Sequence, residues 1–181
     1  MSFDYHIFNS LLSSTECDEI IGSVGDDDYK ISPVHNKHTG LYNIILDIRS
    51  SKVAHISIKI AKNVIKRLAN ITPLVYRSTM SYGKPRIIKY DNDELFQCHR
   101  DSIFTRVING KLHTGKYNVI VYLNDDYKNG TTTFYDVKNG LYKSIKGKKG
   151  DVMIFDPNIL HSGDKTEGIK YIMLFQLVYP N

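Results

Sequence analysis

From Pro73 onward the sequence breaks into short segments rich in β-branched and aromatic residues, each closed off by Asn, Asp or Gly, and few folds accept such a chain. The segments are RIIKY (Arg86 to Tyr90), LFQCHRD (Leu95 to Asp101), YNVIVYL (Tyr117 to Leu123), TTTFYD (Thr131 to Asp136), DVMIF (Asp151 to Phe155) and KYIMLFQLVY (Lys170 to Tyr179). Between them lie DND, NDDYKNG, KNG and GKKG, which supply the residues that tight antiparallel hairpins require. The expectation is an α+β protein whose core, residues 85–179, is a double-stranded β-helix, or jelly roll.

The amino-terminal part reads differently. IFNSLLSSTECDEIIGSV predicts a short strand, a turn and a helix capped by Ser13 or Ser14, with Glu16 and Glu19 near its positive end and Gly22 and Gly25 closing it. A second helix is expected from Ser51 to Leu68, where Val53, Ile56, Ile60, Ala61, Val64, Ile65 and Leu68 recur at helical spacing and the lysines face water. His55 falls off that stripe and reads as a surface residue. Asp26 to Asn43 is polar and aperiodic, holds His35, His38, Gly40 and Tyr42, and fits either a plain surface loop or a lid over the barrel mouth. Residues 1–75 are thus expected to give mainly supporting helices and a loop to a single domain spanning 1–181.

Composition bounds the function. The 181 residues suffice for one domain with its own core, and 41% hydrophobic with 24% charged residues argue against a disordered chain. A net charge of +5 leaves acidic substrates or nucleic acid open. The lysines are scattered, however, and the one run, Lys146 to Lys149, reads as a solvated turn. Cys17 and Cys98 lack the spacing of a disulfide framework or zinc site. No stretch approaches the roughly 18 apolar residues of a membrane span, and the start lacks the charged and apolar regions of a secretory signal. The expectation is a soluble protein, cytoplasmic or otherwise intracellular, with no membrane partner.

His99 and Asp101 carry the chemistry. In an extended segment alternate side chains share a face, so these two point one way and Arg100 the other. A lone His-x-Asp is weak evidence of a metal site. His161 follows the apolar DVMIF segment after a turn through Pro157, where a barrel rim is expected, and two imidazoles with one carboxylate can hold Fe(II) on one face, leaving positions open opposite. His6, His35, His38, His55 and His113 have no comparable setting.

Three longer stretches give these residues a context. RIIKYDNDELFQCHRD resembles the Arg, Tyr, aromatic and HxD pattern of the prolyl 4-hydroxylase-like family of Fe(II)- and 2-oxoglutarate-dependent dioxygenases. YNVIVYLNDDYKNGTTTFYD resembles that family's strand ending in Tyr-Leu-Asn, its Gly-rich turn and its Thr-x-Phe strand. KKGDVMIFDPNILHSGDKTEGIKYIMLFQLVY resembles the strand leading to the distal histidine and the basic residue beyond it, and FNSLLSSTECDEII resembles the entry strand and helix. Asn129, Gly130 and Thr131 depart from the family's usual two glycines and glutamate, and Arg100 puts a cation in the variable middle of HxD.

The resemblance implies that His99, Asp101 and His161 are the catalytic metal ligands, that Lys170 pairs with the far carboxylate of 2-oxoglutarate, and that Tyr122 and Tyr90 contact the same cosubstrate. Fe(II), 2-oxoglutarate and O2 are the implied cofactors, with ascorbate as an optional reductant. On its strand Lys170 shares a face with Ile172 and Leu174, so its ammonium calls for an anion. The implied reaction is hydroxylation of a protein or peptide substrate, peptidyl proline first. Another substrate, a lysyl side chain or nucleic acid, stands as the alternative; KYIMLFQLVY holds no arginine, which disfavours nucleic acid. A non-catalytic jelly-roll binding module is the third reading, and four intact site residues speak against it.

Overall fold

The computed structural model describes residues 5–35, 39, 41–75, 79–80 and 85–181. Tyr5–Phe8 forms the entry strand, and Ser14–Gly22 the first helix. Ser13 caps that helix: its hydroxyl accepts from Glu16 N, while the Glu16 carboxylate accepts from Ser13 N, so two amides that the helix cannot satisfy find partners. Arg67 of the second helix donates to the same carboxylate and to Leu11 O, joining the two helices.

The second helix is Ile58–Ile71, capped by Ser57. It is shorter than the pattern predicts. Lys52–His55 is a strand, paired with Arg86–Tyr90, because Ala54 and Val53 meet Ile87 and Ile88 across the ladder. The helical stripe survives as Ala61, Val64 and Leu68, all buried, and His55 is exposed. Asp26 to Asn43 holds a 3-10 turn at Asp26–Asp28 and short strands at Lys30–Ile31, Val34–His35 and Tyr42–Asn43. His38 and Gly40 lie outside the described residues.

Among the described residues the larger sheet runs, in spatial order, Tyr5–Phe8, Val152–Phe155, Lys111–Tyr122, Lys170–Pro180, Arg86–Tyr90, Lys52–His55 and Lys30–Ile31, with Thr105–Ile108 and Thr79–Met80 on its flanks. Residues 1–75 therefore add strands to this sheet as well as helices. A smaller sheet runs Leu141–Ile145, Thr132–Asp136, Leu160–Gly163 and Phe96–His99. Both are antiparallel, and together they make the double-stranded β-helix of a jelly roll.

Strict alternation divides the larger sheet's side chains between two cores. Ile87, Val119, Val121, Val152, Ile154, Met173, Phe175 and Leu177 pack against Leu12, Cys17, Ile20, Ala61, Val64 and Leu68 on the helical side. Ile88, Tyr90, Ile120, Tyr122, Met153, Phe155, Ile172 and Leu174 turn inward toward Phe134 and Ile145 of the smaller sheet. The helices thus brace one face and leave the other free to enclose a cleft. The turn before Val152 locks the amino-terminal segment on: Gly150 donates to Tyr122 O and accepts from Leu12 N. Its φ of +89°, with Leu12 O 2.2 Å from where a Cβ would sit, admits glycine alone.

Candidate active site

His99 ends the strand Phe96–His99, and Asp101 lies two residues beyond its end. Leu160–Gly163, after the turn through Pro157, is a strand, and it sets His161 opposite His99 in the ladder. One possible ligand atom from each of His99, Asp101 and His161 lies within 4.8 Å of the other two. No other such cluster occurs among the described residues.

Local contacts aim each of these atoms. His99 Nδ1 lies 2.7 Å from Gln97 O and His161 Nδ1 2.8 Å from Ile159 O, so each Nδ1–H donates to a carbonyl and each Nε2 presents a lone pair. Both Nε2 atoms face the Asp101 carboxylate, at 3.4 and 3.6 Å. Burial holds the His161 imidazole below its usual pKa and so favours the neutral, ligating form. Burial alone raises the Asp101 pKa, but hydrogen bonding and the neighbouring positive charge, that of Arg86 included, prevail and hold it at about 2. Asn118 Nδ2 donates to Asp101 Oδ2 at 2.6 Å, and Gln176 in turn donates to Asn118 Oδ1 at 2.9 Å. The Arg100 guanidinium bonds Asn158 O and Asp101 N bonds Pro157 O, tying the ligand arm to the turn before His161. Two imidazoles and one ionised carboxylate, each oriented by a further partner, are the donor set that suits ferrous iron with open positions.

Lys170 opens its strand opposite Tyr90 and is 1% exposed. Its ammonium donates to Gly130 O at 2.7 Å and sits 5.0 Å over the Tyr90 ring. Asn129 and Gly130, both at positive φ, make the turn that aims this carbonyl inward. Burial lowers the Lys170 pKa to about 8, and the nearby Asp164 carboxylate opposes only part of that. A buried cation whose hydrogen bond goes to a neutral carbonyl fits the tail of a dicarboxylate. Tyr90 lines the same cleft. Tyr122 does not: it is fully buried, and its hydroxyl lies 3.2 Å from Thr132 Oγ1, which forms the wall there.

The cleft also holds groups to which the sequence reading gave no site role, Arg86 and Phe96 having entered it only as the Arg and the aromatic of the family pattern. Arg49, Arg86, Ile88, Phe96, Ile120 and Phe155 line it along with the residues above. Arg86 could have been found, since alternation along RIIKY puts it on the face of Ile88 and Tyr90. Arg49 lies in a segment with no periodicity and carried no signal. Lys146 and Lys149, read as a solvated turn, bond Tyr127 O and Asp18.

Residues 85–175 match the 2OG-Fe(II) oxygenase superfamily. The chain belongs to that superfamily. Membership makes Fe(II) and 2-oxoglutarate the cofactors and the protein a dioxygenase. Its fold is that of the prolyl hydroxylases. One from Trichoplax adhaerens, in complex with a hypoxia inducible factor oxygen degradation domain peptide fragment, aligns at TM-score 0.71 and 15% identity, over 96% of this chain and 82% of that one. The viral collagen prolyl hydroxylase of Paramecium Bursaria Chlorella virus-1, in its 2OG complex, aligns at 0.66 and 18% over 97% and 96%. A Pseudomonas putida prolyl-4-hydroxylase aligns at 0.68 and 10% over 99% and 95%. At such identities the likeness is one of fold. No curated protein matches the chain. Among the described residues no helix is long and apolar enough to cross a membrane.

Proposed function

We propose that this oxygenase hydroxylates a protein or peptide substrate, with peptidyl proline as its target. The observation that carries the reading is the convergence of His99, Asp101 and His161 in one cleft with the buried ammonium of Lys170. In this reading the three ligands hold Fe(II), and Lys170 pairs with the far carboxylate of 2-oxoglutarate. Tyr90 contacts the cosubstrate, and Tyr122 acts on it through the Thr132 hydroxyl. When bound, metal and cosubstrate supply the oxidising power, and 2-oxoglutarate leaves as succinate and CO2. The protein's own part is orientation and exclusion of water: Ile88, Ile120, Phe155 and Ile172 line the cleft with apolar surface.

A peptide is favoured by exposed apolar side chains close in the chain to the site: Ile44 and Leu46, a few residues before Arg49, and Ile103, two residues after Asp101, are of the kind that a peptide interface buries. The same reading takes residues 1–181 as one catalytic domain in a reducing, intracellular setting; both cysteines are free. Ascorbate, as a reductant that rescues oxidised iron, belongs to it too. Succinate formation with proline-rich peptides, set against alkylated oligonucleotides, tests the proposal. Stimulation by the peptides is expected; stimulation by the oligonucleotides alone would overturn it. Iron-dependent turnover of 2-oxoglutarate without substrate separates an enzyme from a binding module.

A further inference from the structure

Two guanidiniums in the cleft have no part in that chemistry. Arg86 lies on the inward face of its strand, four residues from Tyr90 and paired in register with Leu174, whereas Tyr90 pairs with Lys170. Four residues of strand span roughly 13 Å, so Arg86 and the ammonium of Lys170 belong to opposite ends of the cleft. Among the described residues Arg86 makes no hydrogen bond or ion pair, although protein encloses it and its surface opens on the cleft. Arg49 donates Nε–H to Ser51 Oγ at 3.1 Å, and its guanidinium lies 4.4 Å over the Phe96 ring, which itself stacks on His99 at 3.5 Å. That stack holds Arg49 beside the metal ligands, and among the described residues its remaining N–H groups make no hydrogen bond.

The charges do not balance. Asp101 is the one carboxylate lining the cleft, and three cations share it. Asp164 acts on Lys170 from behind the wall, which leaves Asp101 as the one carboxylate near Arg49 and Arg86, with the Tyr90 hydroxyl beside them. A ferrous ion and a 2-oxoglutarate dianion cancel one another and leave that excess standing. Two half-buried like charges that open on one cleft favour an anion entering it.

We propose that Arg49 and Arg86 form an anion subsite on the substrate side of the cleft, so that the hydroxylated residue carries a carboxylate on itself or on its immediate neighbour. The proposal rests on the peptidyl reading above and sharpens it. A carboxylate is chosen over a phosphodiester because the lining around the two guanidiniums is apolar, Ile120, Phe155 and Leu174 among it, and because Arg100, beside the ligand arm, is already bonded to Asn158 O.

Calorimetric titration of the protein loaded with Mn(II) and 2-oxoglutarate under nitrogen tests this with four capped or free probes: Ac-Glu-Pro-Glu-NH2, Ac-Gln-Pro-Gln-NH2, Ac-Glu-Ala-Glu-NH2 and L-proline. The acidic proline peptide should bind about tenfold or more tighter than its amide twin, the scale of one charge-assisted hydrogen bond. Arg86→Gln and Arg49→Gln should each erase the preference, while Arg86→Lys keeps part of it. If the alanine peptide binds as well as the acidic proline peptide, the subsite stands and the prolyl reading falls. If L-proline alone binds, and loses binding in Arg86→Gln, the carboxylate is the substrate's own and the subsite again stands. Equal binding of the acidic and amide peptides, or no binding by any probe, overturns the subsite. So does tighter binding of an alkylated oligonucleotide, or an Arg86→Gln variant whose 2-oxoglutarate affinity falls as far as its peptide preference.

Discussion

His161 shows how few contacts are needed to make a ligand. A carbonyl two residues back takes its Nδ1–H, the strand ladder fixes its place opposite His99, and burial keeps it neutral. His161→Ala should therefore lose tight metal binding, measured as iron retained after dialysis, and with it 2-oxoglutarate turnover; retained turnover would remove the residue from the ligand set. Lys170→Ala leaves the ligands in place but takes away the ammonium, so the 2-oxoglutarate requirement should rise about 10- to 100-fold. Lys170 also predicts a pH dependence. Its folded pKa is lowered to about 8, so the cleft offers a full positive charge below that pH and loses it as pH rises through it. Affinity for 2-oxoglutarate, measured with Mn(II) in place of iron, should weaken from pH 7 to 9.5 in the native protein. In Lys170→Ala it should stay flat across that range.

The first helix depends on its capping box, and the second on one buried stripe. Ser13→Ala removes the acceptor for Glu16 N and should cost about 1 kcal/mol in denaturant unfolding. Glu16 adds a pH signature. The hydrogen bond from Arg67 and the cap at Ser13 hold its pKa at about 2, below its unfolded value, so its contribution is complete above about pH 4.5 and fades as pH falls toward 2. The melting temperatures of native protein and Glu16→Gln should thus differ at pH 7 and converge near pH 2. Leu68 has no exposed surface, and Leu68→Ala should cost about 2–5 kcal/mol as a cavity opens beneath the sheet. The misread stretch from Ser51 to His55 belongs to this scale as well. Val53 satisfies a helical spacing and a strand alternation alike, and only the partner strand Arg86–Tyr90 decides between them.

The whole molecule is a brace and a cleft. Helices cover one face of the larger sheet, and the smaller sheet closes part of the other, so the site sits between two rigid walls. The ligands come from Phe96–His99, from Asp101 two residues beyond it, and from Leu160–Gly163, and metal binding should therefore tie the smaller sheet to the fold. A metal present at a hundred times its dissociation constant adds about 2.7 kcal/mol to stability. Mn(II) should accordingly raise the melting temperature by several degrees, and a chelator should reverse the rise; His161→Ala should show neither change.

Much of this was legible in one dimension, because strand alternation and turn residues act locally. The inward parity of His99 with Asp101, of Lys170 with Ile172 and Leu174, and the hairpin breaks around them follow from backbone geometry that every residue shares. What tertiary structure alone decided is which distant groups meet. Asn118 reaches Asp101 from another strand, Gly130 turns a carbonyl toward Lys170, Thr132 stands between Tyr122 and the cleft, and Arg49 stacks on Phe96 from an aperiodic loop. Such meetings depend on sheet register and on the packing of side chains far apart in the chain, and no local periodicity encodes either.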